Sequence, residues 1–192
     1  MDFFINADTT YIFYFYFNDE ALFKYVTLGA SEKGKIMAVK DSIKPYGEKQ
    51  IAFDKRYLEM ALIWARNSYC IRRQVGALIV KGKMIISDGY NGTPSGFENV
   101  CEDENNITKP YVLHAEANAI TKVAKSNNSS EDSTLYVTTS PCMECAKLII
   151  QSGIKRVVYC NRYRITDGLN LLKRAGIELV YIDPENNIYE QE

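Results

Sequence analysis

One histidine and two cysteines of this chain stand at spacings that suit a metal ion. His114 is the only histidine, and Cys142 and Cys145 lie three positions apart, directly after Pro141. Residues three apart share one face of a helix, and Pro141 predicts that a helix starts there. The free N–H groups and the positive dipole end of its first turn favour thiolates over thiols. Two thiolates and one imidazole give a tetrahedral zinc ion three ligands and leave a fourth position open, which is typical of catalytic zinc sites.

Glu116 would give this metal site a proton carrier. It follows His114 by two residues, so its carboxylate is predicted to lie beside the ion without binding it. Zinc lowers the pKa of a bound water towards ~7, and a neighbouring carboxylate can carry protons to a ring nitrogen and to a departing amine. A lone C-x-x-C pair also occurs in redox centres and structural zinc sites, but those have no use for Glu116. The combined pattern of H-x-E and P-C-x-x-C is the signature of zinc-dependent deaminases, and it predicts hydrolytic deamination.

The run from Gly89 to Gly96 is predicted to be a loop, and it is a candidate for ligand contact. Its glycines, Gly92 among them, allow the backbone to approach a ligand closely. Asn91 offers both a hydrogen-bond donor and an acceptor, which suit a pyrimidine edge or a sugar hydroxyl. Taken alone, the run fits an ordinary turn better, because Asn-Gly by itself produces one.

Four further side chains are candidates for the substrate site. Arg72 and Arg73 precede a core strand and are suited to hold a phosphate, since arginine binds phosphate through two hydrogen bonds. A solvated turn fits them equally. Tyr159 and Tyr163 flank a loop after a later strand, where α/β sheets bind ligands. Aromatic packing explains these tyrosines equally well.

Hydrophobic periodicity predicts an α/β fold. An amphipathic helix is predicted over 54–68 with Asp54 as its N-cap, and the apolar run 75–80 is predicted to form a hairpin with a strand at 84–87. Later helices are predicted over 114–125, 141–153 and 167–175, and later strands over 134–138, 156–159 and 177–182. Strands joined through helices should be parallel. The result is a three-layer α/β/α fold with a mixed five-stranded sheet and a frayed acidic chain end.

Length, charge and cysteine count restrict the function further. The 192 residues suffice for one domain with a core, and the net charge of −1 disfavours a nucleic-acid polymer as partner. Five cysteines, an odd number without a secretory signal, disfavour a disulfide framework and favour a cytoplasmic enzyme. The aromatic run at 11–17 is too short to cross a bilayer, so no membrane association is expected.

Residues 1–48 differ from the rest of the chain because they carry no chemical motif. We predict an N-terminal extension of unknown role over 1–48 and a zinc-dependent deaminase domain over 49–192. One interpretation of the extension is an added strand or hairpin. The other is that native translation starts within the sequence, near Met37.

Four segments together resemble one enzyme family. They are GYNGTPSG, HAEANAI, LYVTTSPCMECAKLII and SGIKRVVYC, and the resemblance extends over residues 54–183. They are similar to the deoxycytidylate (dCMP) deaminase family of the cytidine-deaminase-like superfamily, and the GYNG-x-P loop points to the dCMP branch. The resemblance implies conversion of dCMP to dUMP and ammonia, which supplies dUMP for thymidylate synthesis. By matching position it implies zinc binding by His114, Cys142 and Cys145, proton transfer by Glu116 and substrate contact by Asn91. Gly92, Ala115, Arg72, Arg73 and Tyr163 complete the predicted substrate site.

The resemblance also implies partners. Many members of the family are homo-oligomers that dCTP activates and dTTP inhibits, and a nucleotide effector of this kind would bring Mg²⁺ with it. Some relatives bind a second, structural zinc through additional histidine and cysteine residues. This chain has no second histidine, and Cys70 and Cys101 alone make a poor zinc site. We therefore expect one zinc ion per chain.

Three alternative functions share parts of the pattern. A tRNA adenosine deaminase has the same two motifs but should carry a basic surface, which the net charge of −1 and the acidic segment 102–104 disfavour. A riboflavin-pathway deaminase is usually fused to a reductase domain, for which the chain is too short. A non-catalytic zinc-binding module has no use for Glu116.

Overall fold

The computed structural model describes residues 11–17, 20–26, 47–183 and 188–192. The helices in this part of the chain are α1 (Glu48–Ala65), α2 (Ala115–Ala124), α3 (Met143–Gln151) and α4 (Asp167–Arg174). The strands are β1 (Tyr11–Phe17), β2 (Glu20–Val26), β3 (Gly76–Lys81), β4 (Met84–Tyr90), β5 (Thr134–Val137), β6 (Arg156–Tyr159), β7 (Glu178–Asp183) and β8 (Ile188–Gln191).

Strands β3 to β8 form one mixed sheet. Its strand order is β4-β3-β5-β6-β7-β8. The pairs β5/β6 and β6/β7 are parallel, whereas β3/β4, β3/β5 and β7/β8 are antiparallel. The predicted α/β fold, the mixed sheet, the first hairpin and the parallel later strands are confirmed. The predicted number of five strands is wrong, because the sheet has six.

The additional strand is β8, in the acidic segment that was predicted to fray. Its backbone pairs with β7 over 188–191. Arg162 supplies a second attachment, since its guanidinium donates hydrogen bonds of 2.7 Å to both Glu190 and Glu192. The acidic residues at this end of the sequence are therefore placed against a cation.

Helices cover both faces of the sheet, which makes the three predicted layers. On the apolar run of β3, Leu78 and Val80 pack in one cluster with Leu58 of α1. Ala77 and Ile79 point to the other face, where the cluster contains residues of α2, α3 and α4. Successive side chains of a strand alternate between faces, so one uninterrupted apolar strand serves both layers.

The first helix begins six residues before the predicted N-cap. Its N-cap is Gly47, and Asp54 lies in the second turn with 0% of its surface exposed. Asp54 is buried because it forms a bidentate ion pair with Arg156 at the start of β6, with N–O distances of 2.8 and 2.7 Å. The hydroxyl of Tyr136 donates a third hydrogen bond to Asp54, 2.7 Å long. Asp54 is therefore not an N-cap. It is buried because it pairs with Arg156, which lies 102 residues away in the sequence.

Two cysteines form a disulfide, contrary to the expectation from their number. Cys70 and Cys101 are bonded to each other, and Cys142, Cys145 and Cys160 are free. The bond joins the segment before β3 to the loop between β4 and α2. An odd number of cysteines argued against a framework of several bridges, but it does not exclude a single bond between two packed loops.

The strands β1 and β2 form a separate antiparallel hairpin. This agrees with the interpretation of the N-terminal extension as an added hairpin. Met37 lies outside the described residues, so initiation near it stays a prediction, as does the division of the chain between residues 48 and 49. Among the described helices, none has both the length and the apolar character that a membrane span needs.

Replacement of Asp54 by asparagine should destabilise the fold without touching the site described below. The variant leaves the buried guanidinium of Arg156 without its bidentate partner, and breaking a buried ion pair costs about 3–5 kcal/mol. Chemical denaturation should measure this loss. Glu144→Gln breaks an exposed ion pair with Lys147 and serves as the control, with an expected loss below about 1 kcal/mol. Equal stability of the two variants would contradict the structural role assigned to Asp54.

Candidate active site

A cavity of about 550 Å³ lies at the carboxyl ends of β5 and β6. Ligands of α/β proteins bind at this edge of the sheet, where the loops after the strands meet the starts of the helices. Helices α2 and α3 both begin at the cavity, and His114 and Cys142 line its wall. Two of the three predicted metal ligands therefore lie in the cavity wall.

The three predicted ligands form one cluster. Among the described residues, His114, Cys142 and Cys145 are the group whose ligand atoms could hold a metal ion, all within 4.8 Å of one another. The Nδ1 atom of His114 lies 3.4 Å from the Sγ atoms of both cysteines. Ligands of a tetrahedral zinc ion at ordinary bond lengths are roughly 3.5 Å apart. The donor set and its spacing fit zinc, with Nδ1 as the imidazole ligand.

The helix starts differ by one or two residues from those predicted. His114 and Cys142 are N-cap residues with extended backbones, so α2 begins at Ala115 and α3 at Met143. Cys145 is consequently the third residue of α3, and the residue is 2% exposed. The ligands thus come from two caps and one first turn, where backbone N–H groups are free to face negative charge.

The two thiols share their protons unequally. The hydrogen bond from the Cys145 thiol, with further bonds from His114 and from the Cys145 backbone N–H, lowers the pKa of Cys142 to about 3. The same thiol–thiolate contact, together with burial, raises the pKa of Cys145. The hydrogen bond to Cys142 raises the pKa of His114. Thiols and imidazole bind a metal in their deprotonated forms, so a divalent ion that binds here would release protons.

Glu116 lies beside this cluster and is buried. It is the second residue of α2, is 4% exposed, and lines the cavity. Burial raises the pKa of its carboxyl group, while the nearby His114 opposes that shift. The Glu116 side chain also contacts the Cys145 thiol, yet it is not part of the ligand cluster. This is the placement predicted from its offset of two residues after His114.

Two glycines allow the helices to reach these positions. A Cβ atom at Gly89 would lie 2.2 Å from the carbonyl oxygen of Ala115 and 2.7 Å from the nitrogen of Ala119. A Cβ atom at Gly168 would lie 2.2 Å from the carbonyl oxygen of Pro141. The close approach that Gly89 permits is therefore to helix α2, not to a ligand.

Asn91 lines the cavity but also supports its wall. Its side-chain oxygen accepts a hydrogen bond of 2.8 Å from the N–H of Val75, and its amide group donates one of 2.8 Å to the carbonyl of Arg73. Gly92 exchanges two backbone hydrogen bonds with Leu113, next to the metal ligand His114. Gly92 thus aligns the start of α2, and its contact with a substrate stays a prediction.

Ala115, Arg72, Arg73 and Tyr163 lie in the cavity wall, as predicted for substrate contacts. The guanidinium of Arg73 lies over the ring of Tyr163, 5.9 Å from its centroid. Tyr159, the other tyrosine considered, is fully buried and donates its hydroxyl to Glu192. Its role is packing. The roles of the cavity-wall residues towards a substrate stay predictions.

Sequence reasoning missed part of the cavity wall. Ser140, Arg162 and Arg164 follow the carboxyl ends of β5 and β6, and Glu102 comes from the loop before α2. Ser140 accepts a hydrogen bond of 2.7 Å from the N–H of Tyr163, which joins the two loops. The position after a parallel strand could have identified the first three. No local signal distinguishes Glu102 from the two acidic residues that follow it.

Proteins of known identity with similar sequences include several deaminases. The family model of the cytidine and deoxycytidylate deaminase zinc-binding region matches residues 51–161. Deoxycytidylate deaminase of Schizosaccharomyces pombe is 36% identical over 151 residues, which cover 72% of this chain and 47% of that protein. Deoxycytidylate deaminase of Enterobacteria phage T4 is 35% identical over 172 residues, which cover 67% and 89%. The chain spans about half the length of the relatives from S. pombe and Saccharomyces cerevisiae.

A solved structure shares the fold over most of this chain. The dCMP deaminase of cyanophage S-TIM5, crystallised in complex with dCMP and dUMP, is 45% identical, with a TM-score of 0.66. The match covers 73% of this chain and 99% of the cyanophage chain. The similarity is therefore to the complete cyanophage chain and not to one part of it.

The purified protein is expected to contain about one zinc ion per chain, as measured by elemental analysis. Joint replacement of Cys142 and Cys145 by alanine should abolish zinc binding, because it removes two of three ligands. Cys160→Ala removes a buried free thiol outside the cluster and should retain the metal. Zinc retained by the double variant, or two zinc ions in the unaltered protein, would contradict the site.

Proposed function

Because the chain belongs to the cytidine and deoxycytidylate deaminase family, we propose that it hydrolyses dCMP to dUMP and ammonia. The observation that carries the proposal is the His114, Cys142 and Cys145 cluster beside the buried carboxyl group of Glu116. This constellation lies in the wall of a cavity whose rim carries arginines. A metal, a proton carrier and an anion-binding rim are what hydrolytic deamination of a nucleotide needs.

His114, Cys142 and Cys145 would hold the zinc ion. When bound, zinc acts as a Lewis acid that makes water nucleophilic at neutral pH. The open side of the cluster faces the cavity, since His114 and Cys142 line it while Cys145 is buried behind them. A pyrimidine ring in the cavity would therefore meet the reacting centre from that side.

Glu116 would carry the protons. In deamination a water oxygen bonds to the ring carbon and the C–N bond to the amine breaks, while the protons of the water pass to a ring nitrogen and to the leaving amine. Glu116 lines the same cavity and is almost completely shielded from solvent. Burial raises the pKa of this carboxyl group, which favours the form that holds a proton and can pass it to a base. One side chain would thus serve successive transfers.

Arginines at the rim would bind the phosphate. Arg72 and Arg73 are exposed and line the cavity, and a guanidinium binds phosphate through two parallel hydrogen bonds. Tyr163, under the guanidinium of Arg73, offers an aromatic face and a hydroxyl. The Asn91 amide retains one hydrogen and one lone pair beyond its two backbone bonds, which would contact the nucleoside, with Ala115 beside it.

The family relationship supports a wider proposal. The product dUMP would supply thymidylate synthesis in the cytoplasm, and the domain over 49–192 would carry the activity. Assembly into a homo-oligomer, with dCTP and dTTP as effectors and Mg²⁺ bound to the effector, follows the resemblance. The tRNA adenosine deaminase alternative is disfavoured because the relatives above are deoxycytidylate deaminases. A non-catalytic zinc module would leave Glu116 without a role.

The proposal predicts a preference for the nucleotide. Ammonia release should be faster with dCMP than with deoxycytidine or cytosine, because a site built to bind a phosphate loses that binding energy with a compound that has none. Arg72→Gln and Arg73→Gln should each reduce kcat/KM for dCMP and leave the slow deoxycytidine reaction unchanged. Equal rates for nucleotide and nucleoside would contradict the assignment of dCMP as the substrate.

Glu116→Gln should separate catalysis from metal binding. Glutamine keeps the shape of the side chain but cannot transfer the proton, so kcat should fall at least about a thousandfold. Zinc content and folding should be unchanged, since three ligands remain. Glu59→Gln, an exposed residue of α1, provides the matched change of charge and should be fully active. Normal activity of Glu116→Gln with zinc retained would contradict the mechanism.

A further inference from the structure

The arginines at the cavity rim lie on a segment without regular structure. Residues 66–75 connect the end of α1 to the start of β3, and they form neither helix nor strand. Arg72 and Arg73 are exposed on this segment. Backbone outside helices and sheets has few hydrogen bonds to fix it, so other contacts must determine where these guanidinium groups lie.

Glu102 provides such a contact from across the cavity wall. Its Oε2 atom accepts a hydrogen bond from the N–H of Ile71 and its Oε1 atom accepts one from the N–H of Arg72, both 3.2 Å long. The Glu102 residue is 6% exposed. Hydrogen bonds to an ionised carboxylate are stronger than those between neutral groups, so one buried side chain fixes two consecutive backbone positions.

Two neighbouring contacts join the same pair of segments. The disulfide between Cys70 and Cys101 lies directly before Ile71 on one segment and Glu102 on the other. Thr108 pairs with Glu102 across the turn of the loop, and its hydroxyl accepts a hydrogen bond of 3.2 Å from Nη1 of Arg72. The loop therefore holds both the backbone and the guanidinium of Arg72.

The carboxylate of Glu102 has the same sign of charge as the phosphate that this rim would bind. A carboxylate in the wall of an anion site repels a phosphate by Coulomb's law. Direct contact with the nucleotide phosphate is therefore excluded as its role. Its two backbone hydrogen bonds explain the position instead.

We infer that Glu102 is a positioning residue, which, together with the Cys70–Cys101 disulfide, places Arg72 for the phosphate of the substrate. The inference rests on the proposed function, in which Arg72 binds that phosphate. Glu102 determines specificity for the nucleotide over the nucleoside without touching either.

The test compares Glu102→Gln with two reference variants in steady-state deamination of dCMP and deoxycytidine. Glutamine places an amide N–H₂ group where a second acceptor is needed, so the Arg72 segment should shift. We expect KM for dCMP to rise about tenfold, in line with the loss of a charge-assisted hydrogen bond. The kcat for dCMP, the kinetics with deoxycytidine and the zinc content should be unchanged.

Glu104→Gln is the matched control, because Glu104 is an exposed acidic residue of the same loop. Removing a negative charge near an anion site by itself lowers KM for dCMP or leaves it unchanged. A rise in KM with Glu102→Gln but not with Glu104→Gln therefore identifies a positional effect. Glu102→Asp retains the charge with a shorter side chain and should raise KM for dCMP by a smaller factor. If Glu102→Gln does not fold, KM of Glu102→Asp tests the positioning role in its place.

The Cys70–Cys101 disulfide allows a second, independent test of the inference. Joint replacement of Cys70 and Cys101 by alanine should also raise KM for dCMP and leave the kinetics with deoxycytidine unchanged. Treatment of the unaltered protein with a phosphine reductant should raise KM for dCMP in the same way. The reductant should not change KM of the double variant, which has no disulfide between these positions.

The outcomes separate the inference from the proposed function. An unchanged KM in both Glu102 variants, with a raised KM in Arg72→Gln, would overturn the positioning role alone. An unchanged KM in Arg72→Gln would overturn the phosphate contact and the inference with it. Absence of dCMP deamination by the unaltered protein would overturn the proposed function itself.

Discussion

The approach of helix α2 to strand β4 is the constraint on which the site depends. At Gly89 the strand meets the helix so closely that a methyl group would overlap the backbone of Ala115 and Ala119. This contact determines how closely the start of α2 approaches the sheet, and with it the positions of His114 and Glu116. A second such contact, between Gly168 and the backbone of Pro141, sets the start of α3.

The starts of α2 and α3 bring polar side chains together on a face of the sheet that is otherwise apolar. The residues behind it, such as Ala119, Ala146 and Ile149, are fully buried. The ligand atoms therefore have protein on one side and the cavity on the other, and neighbouring groups can shift the pKa values of the thiols and of Glu116 strongly. The ion pair of Asp54 and Arg156 joins α1 to β6, and neither residue lines the cavity.

The residues that cluster at this site could be predicted from local spacing, whereas much of what surrounds them could not. The offset of Glu116 from His114 and the separation of the two cysteines are short-range features, so sequence alone identified the cluster. The alternation of apolar runs with helical periodicity likewise predicted the three layers. Asp54 is not an N-cap, because its partner Arg156 is remote in the sequence. Periodicity did not predict β8, because its Glu190 pairs with Arg162, which is also remote. Glu102 and the disulfide depend on how two irregular loops pack, which no periodicity encodes.

The geometry of the metal cluster can be measured directly by X-ray absorption spectroscopy of the zinc-loaded protein. Binding by Cys142, Cys145 and Nδ1 of His114, with one position open to water or substrate, predicts two sulfur neighbours at about 2.3 Å and two nitrogen or oxygen neighbours at about 2.0–2.1 Å. Such a spectrum should be unchanged in Glu116→Gln, because that carboxylate is not a ligand. Three or four sulfur neighbours, or a first shell without sulfur, would contradict the site on which this account rests.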